Sequence, residues 1–498
     1  MSNDNIQSNV PEQSEDELRE IRLNKLQSAI AGGSNPFEIT SYPKTHGAAD
    51  ILKRADKLMG TAVTVAGRIM TRRIMGKASF AHIMDDSGKI QIYLKSDVLG
   101  DVYEEWKKYD IGDIIGVTGE VFVTKMGETS IAADSVVMLS KSLLPLPEKW
   151  HGLRDNETRY RQRYIDLIAN PEVKKTFELR SKIIRAIREY LDKTGFVEVE
   201  TPILSTVAGG AAAKPFVTHH NTLDLGMYMR VAPELYLKRL IVGGFERVYE
   251  LGRMFRNEGM SIKHNPEFTM MELYQAYADY NDMMDLTENI YLHILKSCKL
   301  PKKITYQGTK INLAAPWKRQ TMIDAVKEHA GIDFGSLDTA GAQSAAKDRG
   351  VEATKDTTWG ECLYQVFDKC VEHKLMEPTF VTDYPIEVSP LAKRKVSDPR
   401  LTERFELFIY AREMGNAYSE LNDPVDQRKR FEEQAASRAS GSEEVQMADD
   451  DFVTALEYGM PPTGGLGLGI DRLVMLYTDS SSIRDVILFP TMKPIKSK

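Results

Sequence analysis

Cysteine is scarce. The chain of 498 residues has three, at Cys298, Cys362 and Cys370. An odd number without Cys-x-x-Cys spacing argues against a disulfide framework and a thiolate zinc site, and points to a reducing compartment, the cytoplasm. No apolar run approaches the ~20 residues that span a bilayer. The opening Met1-Ser2-Asn3-Asp4-Asn5 lacks the basic start and apolar core of a secretory signal. An excess of positive charge is missing too. The formal net charge is −7, so any nucleic acid must be held by local patches. The 42% hydrophobic content is ordinary for a globular chain. The length suits two or three domains of roughly 100–200 residues each.

Residues 1–16 are polar and aperiodic, the pattern of disorder. From about Glu17 to Ala31 apolar residues recur at helical spacing, with Arg19, Arg22 and Lys25 on a basic face, and Gly32 to Pro36 stops the helix. A helical stretch near Ala49–Lys57 follows. Five β-rich segments come next, Thr61–Met70, Ser79–Met84, Ile90–Leu94, Ile114–Val123 and Ser130–Leu139, with a helix at Asp101–Tyr109 after the third. That order predicts an OB-fold, a small barrel that binds oligonucleotides on one face. Arg72, Arg73 and Lys77 cluster just before Phe80, and Gln91 lies on the next strand. Phe80 is either core or a stacking platform for an RNA base. The stretch from Lys149 to Arg163 is basic with interleaved aromatics. It suits either RNA backbone contact or domain packing.

A helix with the stripe Phe177, Ile184, Ile187 and Leu191 is expected from Asn170-Pro171 to Gly195, running into a strand from Phe196 to Pro202. Ser205–Pro215 reads as a mobile loop around Gly209-Gly210. His219-His220 has no second ligand cluster at metal spacing and is read as structural. Glu234 opens a helix after Pro233, where a carboxylate complements the dipole. The stretch Phe245–Tyr274 reads as strand, loop, strand. Arg256 and Glu258, two apart, share one face, as do Glu272 and Tyr274. With Lys263 and His264 at the loop, the surface suits an anion beside an ammonium; the plain alternative is a hairpin of solvated charges. Residues from about 321 to 377 read as a helical insertion, and Thr379–Tyr384 returns to a strand. Thr402–Asn422 is either a helix, with Glu406, Glu413 and Glu420 on one face, or two strands turning near Ile409–Ala411 with Glu406 opposite Glu413. Both geometries bring two carboxylates together, a donor set suited to Mg2+. Residues 424–458 form one or two charged helices. The glycine-rich stretch Pro461–Gly469 opens a helix at Asp471, and is neither a P-loop nor a Rossmann turn.

Phe255-Arg256-Asn257-Glu258 with His264-Asn265-Pro266-Glu267-Phe268-Thr269 resembles motif 2 of class II aminoacyl-tRNA synthetases, in particular the bacterial-type lysine enzymes of subclass IIb. The helix and strand ending at Pro202 resemble motif 1, and Gly464 to Arg472 resembles motif 3. The motifs occur in family order, and with the barrel they cover most of the chain. The resemblance implies an α+β chain: an N-terminal OB-fold, then a class II catalytic domain whose antiparallel sheet is flanked by helices. The expected boundaries are a disordered and helical extension at 1–58, the anticodon-binding barrel at 59–147, a linker at 148–170 and the catalytic domain at 171–498. It implies a lysine–tRNA ligase, a homodimer through motif 1, with ATP, L-lysine and tRNA(Lys) as partners, Mg2+ as cofactor and no membrane. It assigns ATP to Arg256, Glu258, His264, Phe268 and Arg472. Of these, Arg256, His264 and Arg472 align and steady the phosphates. Amino-acid binding falls to Gly210, Glu234, Glu272, Tyr274, Asn416 and Glu420, magnesium to Glu406 and Glu413, and anticodon reading to Arg73, Phe80, Gln91 and Glu128. Lys263 stands where the lysine family commonly has arginine, so a point charge replaces a fork and no role carries over. The nearest alternatives are aspartate or asparagine enzymes of the same subclass, a non-catalytic RNA-binding paralogue, and a paralogue that lysylates protein.

Overall fold

The structure is a computed structural model that describes residues 14–147, 153, 155–439 and 449–495. The expected disorder at 1–16 therefore lies almost wholly outside the described residues. The chain divides into two compact units, Met1–Arg154 and Asp155–Lys498.

The first unit opens with α1 (Glu15–Ala31), which starts earlier than expected because Ser14 and Glu17 form a reciprocal capping box. Of its basic residues Arg19 is exposed, but Arg22 and Lys25 are not free. Arg22 donates to the carbonyls of Ser142 and Leu144, and Lys25 pairs with Asp110 at 2.6 Å. The strands β1 (Ala62–Met75), β2 (Ala78–Met84), β3 (Lys89–Lys95), β4 (Ile114–Val123) and β5 (Thr129–Ser140) close a barrel in the order β1-β2-β3-β5-β4. Helix α2 (Asp101–Lys108) lies between β3 and β4. The barrel core is filled by alternate residues such as Val63, Val65, Ile83, Ile92, Val117 and Ile131. β1 runs five residues past the expected end, so Arg72 and Arg73 are strand neighbours facing opposite ways. Arg72 turns to the carbonyls of Trp106 and Lys107 at the end of α2, whereas Arg73 stays exposed.

The second unit begins with helices at Asn156–Arg161 and Arg163–Ala169, inside the stretch expected to be a linker. The basic run there serves packing. Arg163 is 1% exposed, pairs with Asp166 and donates to the carbonyls of Arg484, Ile487 and Leu488. Lys149 and Arg154 lie outside the described residues. Helix α3 (Glu172–Lys193) buries Ile183, Ala186, Ile187 and Leu191 against the main core; of the expected stripe, Ile187 and Leu191 are buried, and Phe177 and Ile184 only partly so. It ends before Gly195, whose φ of 85° suits glycine. Of the expected strand at 196–202 only β6 (Val197–Glu198) pairs, because it lies at the sheet edge.

The main sheet then takes β7 (Arg247–Phe255), β8 (Glu267–Ala276), β9 (Lys318–Thr321), β10 (Thr379–Thr382), β11 (Arg404–Phe408), β12 (Glu413–Ser419) and β13 (Thr463–Gly469). The spatial order is β9-β10-β11-β12-β13-β8-β7-β6. The β9/β10 and β6/β7 pairs are parallel and the rest antiparallel. Parallel neighbours need a crossover. The three helices Met322–Ala330, Thr339–Asp348 and Trp359–Cys370 provide it between β9 and β10, around a core of their own. Thr402–Asn422 resolves as the strand pair β11 and β12. Tyr410 and Ala411 turn with positive φ, which puts the reversal where the strand reading expects it. A bulge at Leu407/Phe408 shifts the register, so Glu406 faces Asn416, and Glu413 pairs with Phe408.

Removing the Arg163 guanidinium leaves the buried Asp166 carboxylate short of a partner and three carbonyls unpaired by it. Arg163→Met is expected to lower the stability of the second unit by about 3–5 kcal/mol in urea unfolding, with RNA affinity unchanged. Wild-type stability with weakened RNA binding would return Arg163 to an RNA-contact role.

Candidate active site

Strand periodicity builds one wall. Glu272 and Tyr274 alternate onto the same face of β8, and the Tyr274 hydroxyl donates to Glu272 Oε2 at 3.1 Å. On β12, Asn416 and Tyr418 face the same way, with Glu420 just beyond. Between them runs β13, whose Gly465 lies opposite both Tyr274 and Tyr418, and whose Gly467 lies opposite both Glu272 and Asn416. A Cβ at position 465 would stand 1.9 Å from Glu420 Oε1 and 2.7 Å from the Tyr274 ring. The glycines are therefore required by side chains crossing over the strand.

These groups line a cavity of about 420 Å³ together with Gly210, Glu234, Arg256, Glu258, Lys263, His264, Phe268, Glu413 and Arg472. All the residues expected to bind ATP or the amino acid thus meet at one place. Glu406 does not line it. It sits beside Asn416 on the neighbouring strand, 8% exposed, with Arg404 on its Oε1 at 2.6 Å. Arg256 and Glu258 lie past the end of β7 rather than on a strand, and Glu258 is exposed.

The cavity has two electrical halves. In one, the Arg256 guanidinium lies 5.1 Å from the Phe268 ring centroid, and its buried Nε has no hydrogen-bond partner. Burial lowers its pKa, against the nearby charges of Glu258, Glu413 and Glu272. Arg472 donates to the Glu413 carbonyl at 2.6 Å, to Glu413 Oε2 at 3.2 Å and towards His264 Nε2 at 3.2 Å. Desolvation and the charge of Arg472 lower the His264 pKa, so the imidazole is neutral at pH 7. Its Nε2 then accepts from Arg472 and its Nδ1–H donates to Ser261 Oγ. His264 offers hydrogen bonding rather than charge.

The other half is acidic. Glu272 is 4% exposed, and burial, with the charge of Glu234, pushes its carboxyl up to about 8. Glu420 is fully buried. Burial raises its carboxyl well above the usual range, opposed by Lys238. Its Oε1 has no hydrogen-bond partner. Glu234, far from being a surface acid, is 4% exposed and accepts from Lys238 at 2.6 Å and from the Tyr418 hydroxyl at 2.7 Å. The nearby Glu250, paired with Glu272 across the strands, is instead matched internally by Arg230 and Thr201.

Sequence reasoning missed Lys238, Tyr418, Arg404 and Asp471. Tyr418 follows from the alternation that places Asn416, and Lys238 stands four residues after Glu234, one helical turn on. Asp471 accepts from Arg180 at 2.6 Å and from the Thr269 amide at 2.7 Å, tying α3 and β8 to the residue before Arg472. Only contacts in space reveal that. His219 and His220 lie on an exposed strand, Val217–His220, with His219 3.2 Å from Asp224.

The four barrel residues also converge. Arg73 pairs with Phe80 across β1 and β2, and Phe80 with Tyr93 across β2 and β3. Phe80 is half-buried and stacks on Tyr93 at 4.6 Å, so it is not core. Gln91 donates to Glu128 at 2.7 Å, and His82, not anticipated from sequence, contacts the other Glu128 oxygen at 2.8 Å.

Residues 155–493 match the family described as tRNA synthetases class II (D, K and N), and residues 63–139 match the OB-fold nucleic acid binding domain. A lysine–tRNA ligase of Carboxydothermus hydrogenoformans is 59% identical over 96% of this chain and 98% of its own length. Proteins of the same name from Pelotomaculum thermopropionicum and Clostridium perfringens strain SM101 are 58% and 54% identical, over 99% and 100% of this chain and 98% and 100% of theirs. The fold, the cavity and these matches agree: the chain belongs to the class II tRNA synthetases of the aspartate, lysine and asparagine group.

Proposed function

We infer that the protein joins L-lysine to tRNA(Lys) with ATP. The observation that carries this reading is the acidic half of the cavity. Glu234, Glu272 and Glu420 are buried there around Tyr274, with one Glu420 oxygen unpaired. A side-chain ammonium satisfies such a site, and a neutral isostere leaves its carboxylates unpaired. Aspartate would add a fourth carboxylate to three. The relatives named lysine–tRNA ligases support the same choice.

In the first step an oxygen of the lysine carboxylate attacks the α-phosphorus of ATP, and the bond to the β-phosphate oxygen breaks, releasing pyrophosphate. In the second a terminal ribose hydroxyl of the tRNA attacks the lysyl carbonyl, loses its proton, and AMP departs. The first nucleophile is already an anion, so alignment and charge neutralisation carry the catalysis. Arg256 bridges the lysine carboxylate and the α-phosphate, and its unpartnered Nε supports a role toward an anion. Arg472 leaves Glu413 to hold the outer phosphates, and neutral His264 adds a hydrogen bond. Phe268 gives the adenine a stacking face and Glu258 takes its edge. Glu234 binds the α-ammonium. Glu272, Tyr274 and Glu420 bind the side-chain ammonium, with Asn416 and Gly210 shaping the pocket.

Glu413 and Glu406 fit a hard divalent cation such as Mg2+. Burial and the charge of Glu413 push the Glu406 carboxyl up to about 7 although Arg404 pairs with it, so a cation near Glu413 would relieve the repulsion between the two carboxylates. Glu413 is the ligand that faces the cavity. Magnesium supplies charge neutralisation on the transferring phosphates. The motif 1 elements carry a homodimer interface: Val197 on β6 is 47% exposed, and Val217 and Leu223 nearby in sequence are 70% and 66% exposed. On the barrel, Arg73, Phe80, Gln91 and Glu128 read the anticodon, with Phe80 and Tyr93 as the stacking platform. Among the described residues no helix is long and apolar enough to cross a membrane, and all three cysteines are free thiols, which suits the cytoplasm.

Amino-acid-dependent ATP–pyrophosphate exchange without tRNA is expected with lysine alone. Glu420→Gln should raise the lysine KM at least ~30-fold, since a charge-assisted contact contributes about 2–3 kcal/mol. Exchange with aspartate or asparagine, or undiminished lysine use by Glu420→Gln, would overturn the assignment. Titrating Mg2+ in the same assay with Glu413→Gln, and light scattering for mass, test the metal and the dimer.

The raised carboxyl of Glu272 sets a pH dependence. Below about 8 the ligand-free protein keeps a proton on Glu272, and an incoming ammonium must displace it. Lysine KM should therefore fall as pH rises from about 6 to 8, by up to about tenfold per unit, and level off above. Glu272→Gln should bind more weakly with a flat profile. A KM independent of pH in the wild type would remove Glu272 from the ammonium site.

A further inference from the structure

Behind the acidic wall stands a cation that the reaction does not use. Lys238, on helix α4 (Glu234–Val242), is 0% exposed and does not line the cavity. Its Nζ pairs with Glu234 Oε1 at 2.6 Å and with Glu420 Oε2. The rings of Tyr418 and Phe452 lie 5.6 and 5.8 Å from it, closing the remaining sides. Burial pulls the ammonium pKa down, but Glu234 and Glu420 outweigh it and raise it, so Lys238 stays charged.

The two carboxylates it joins serve different ends of the amino acid in the function inferred above, on which this argument rests. Glu234 takes the α-ammonium and Glu420 the side-chain ammonium. One fixed cation between them sets their separation. It also sets the charge of the occupied site: once the substrate has displaced the proton of Glu272, three carboxylates with one built-in ammonium leave two negative charges, the number of ammonium groups on lysine. A buried ion cluster of this kind adds little net stability over an apolar replacement of similar shape, so folding alone does not call for it. We propose that Lys238 is a specificity-determining positioning residue that locks Glu234 and Glu420 at the span and net charge of a lysine-length diammonium substrate.

The test is lysine- and ornithine-dependent pyrophosphate exchange by the full chain. Lys238→Met should raise the lysine KM at least tenfold with the ATP KM within twofold of wild type. Its preference for lysine over ornithine should narrow at least tenfold. Its lysine kcat/KM should also depend more steeply on pH, because Glu420 loses the cation that favours its ionised form. Lys238→Arg keeps the charge and moves it, so it should recover lysine affinity but not the preference. Lysine KM and preference within twofold of wild type in Lys238→Met overturn the proposal. Should that variant not fold, an undiminished preference in Lys238→Arg does the same. Absence of lysine-dependent exchange in the wild type would instead overturn the function itself.

Discussion

Glu234, Glu272 and Glu420 share the floor of one cavity, and carboxylates removed from water repel one another and lose hydration worth several kcal/mol each. Their surroundings show how far the protein compensates. Glu250, one strand away, is fully matched by Arg230 and Thr201. Glu406 has Arg404, and Glu234 has Lys238 and Tyr418. Glu272 has only the Tyr274 hydroxyl, and Glu420 keeps one oxygen without a partner. The compensation stops where an ammonium ligand has to complete it. Burial stores an affinity for such a cation that exposed carboxylates, already hydrated and screened, do not have.

The sheet makes that crowding possible. Four acidic or phenolic side chains converge on β13 from the strands on either side, and only glycines on that face of the strand let them cross it. Gly465 and Gly467 are therefore part of the site although they carry no functional group. The Asp471 carboxylate, in the first turn of the helix that follows β13, fixes Arg180 of α3 and the Thr269 amide of β8. One residue thus ties three elements together beside Arg472.

Where a residue's role follows from local periodicity, the sequence sufficed. Glu272 with Tyr274, and the barrel strand order, came from alternation and turn residues. Most of the site residues came from the resemblance, residue by residue, and all except Glu406 reach the cavity or the barrel face. What escaped was the fate of basic residues. Arg22 and Arg72 read as exposed cations, and Arg163 as either an RNA contact or a packing residue; each is held by backbone carbonyls. A carbonyl offered by a distant turn leaves no trace in the sequence around the arginine that finds it. The bulge at Leu407/Phe408 escaped for a related reason. The reversal at Tyr410 and Ala411 already sets Glu413 against Phe408, and the one extra residue moves the partner of Glu406 from Gly415 to Asn416.

The two halves of the cavity meet at Arg256. Beyond it lie Lys263, His264 and Arg472, where phosphate charge is wanted; before it lie the three carboxylates. A lysine molecule carries its own charges in that order, a carboxylate at one end of the α-carbon and ammonium groups on the other side. Only one orientation places the carboxylate against Arg256 while both ammonium groups meet carboxylates. The reversed molecule would put cations against guanidinium and an anion against buried carboxylates, and like charges at such distances cost several kcal/mol. In the proposed assignment of these residues, the nucleophilic oxygen is aimed at the phosphate end by the same charges that select the amino acid. Specificity and alignment are thus one electrostatic property of the site, and the orientation is set when lysine binds, before the chemical step begins.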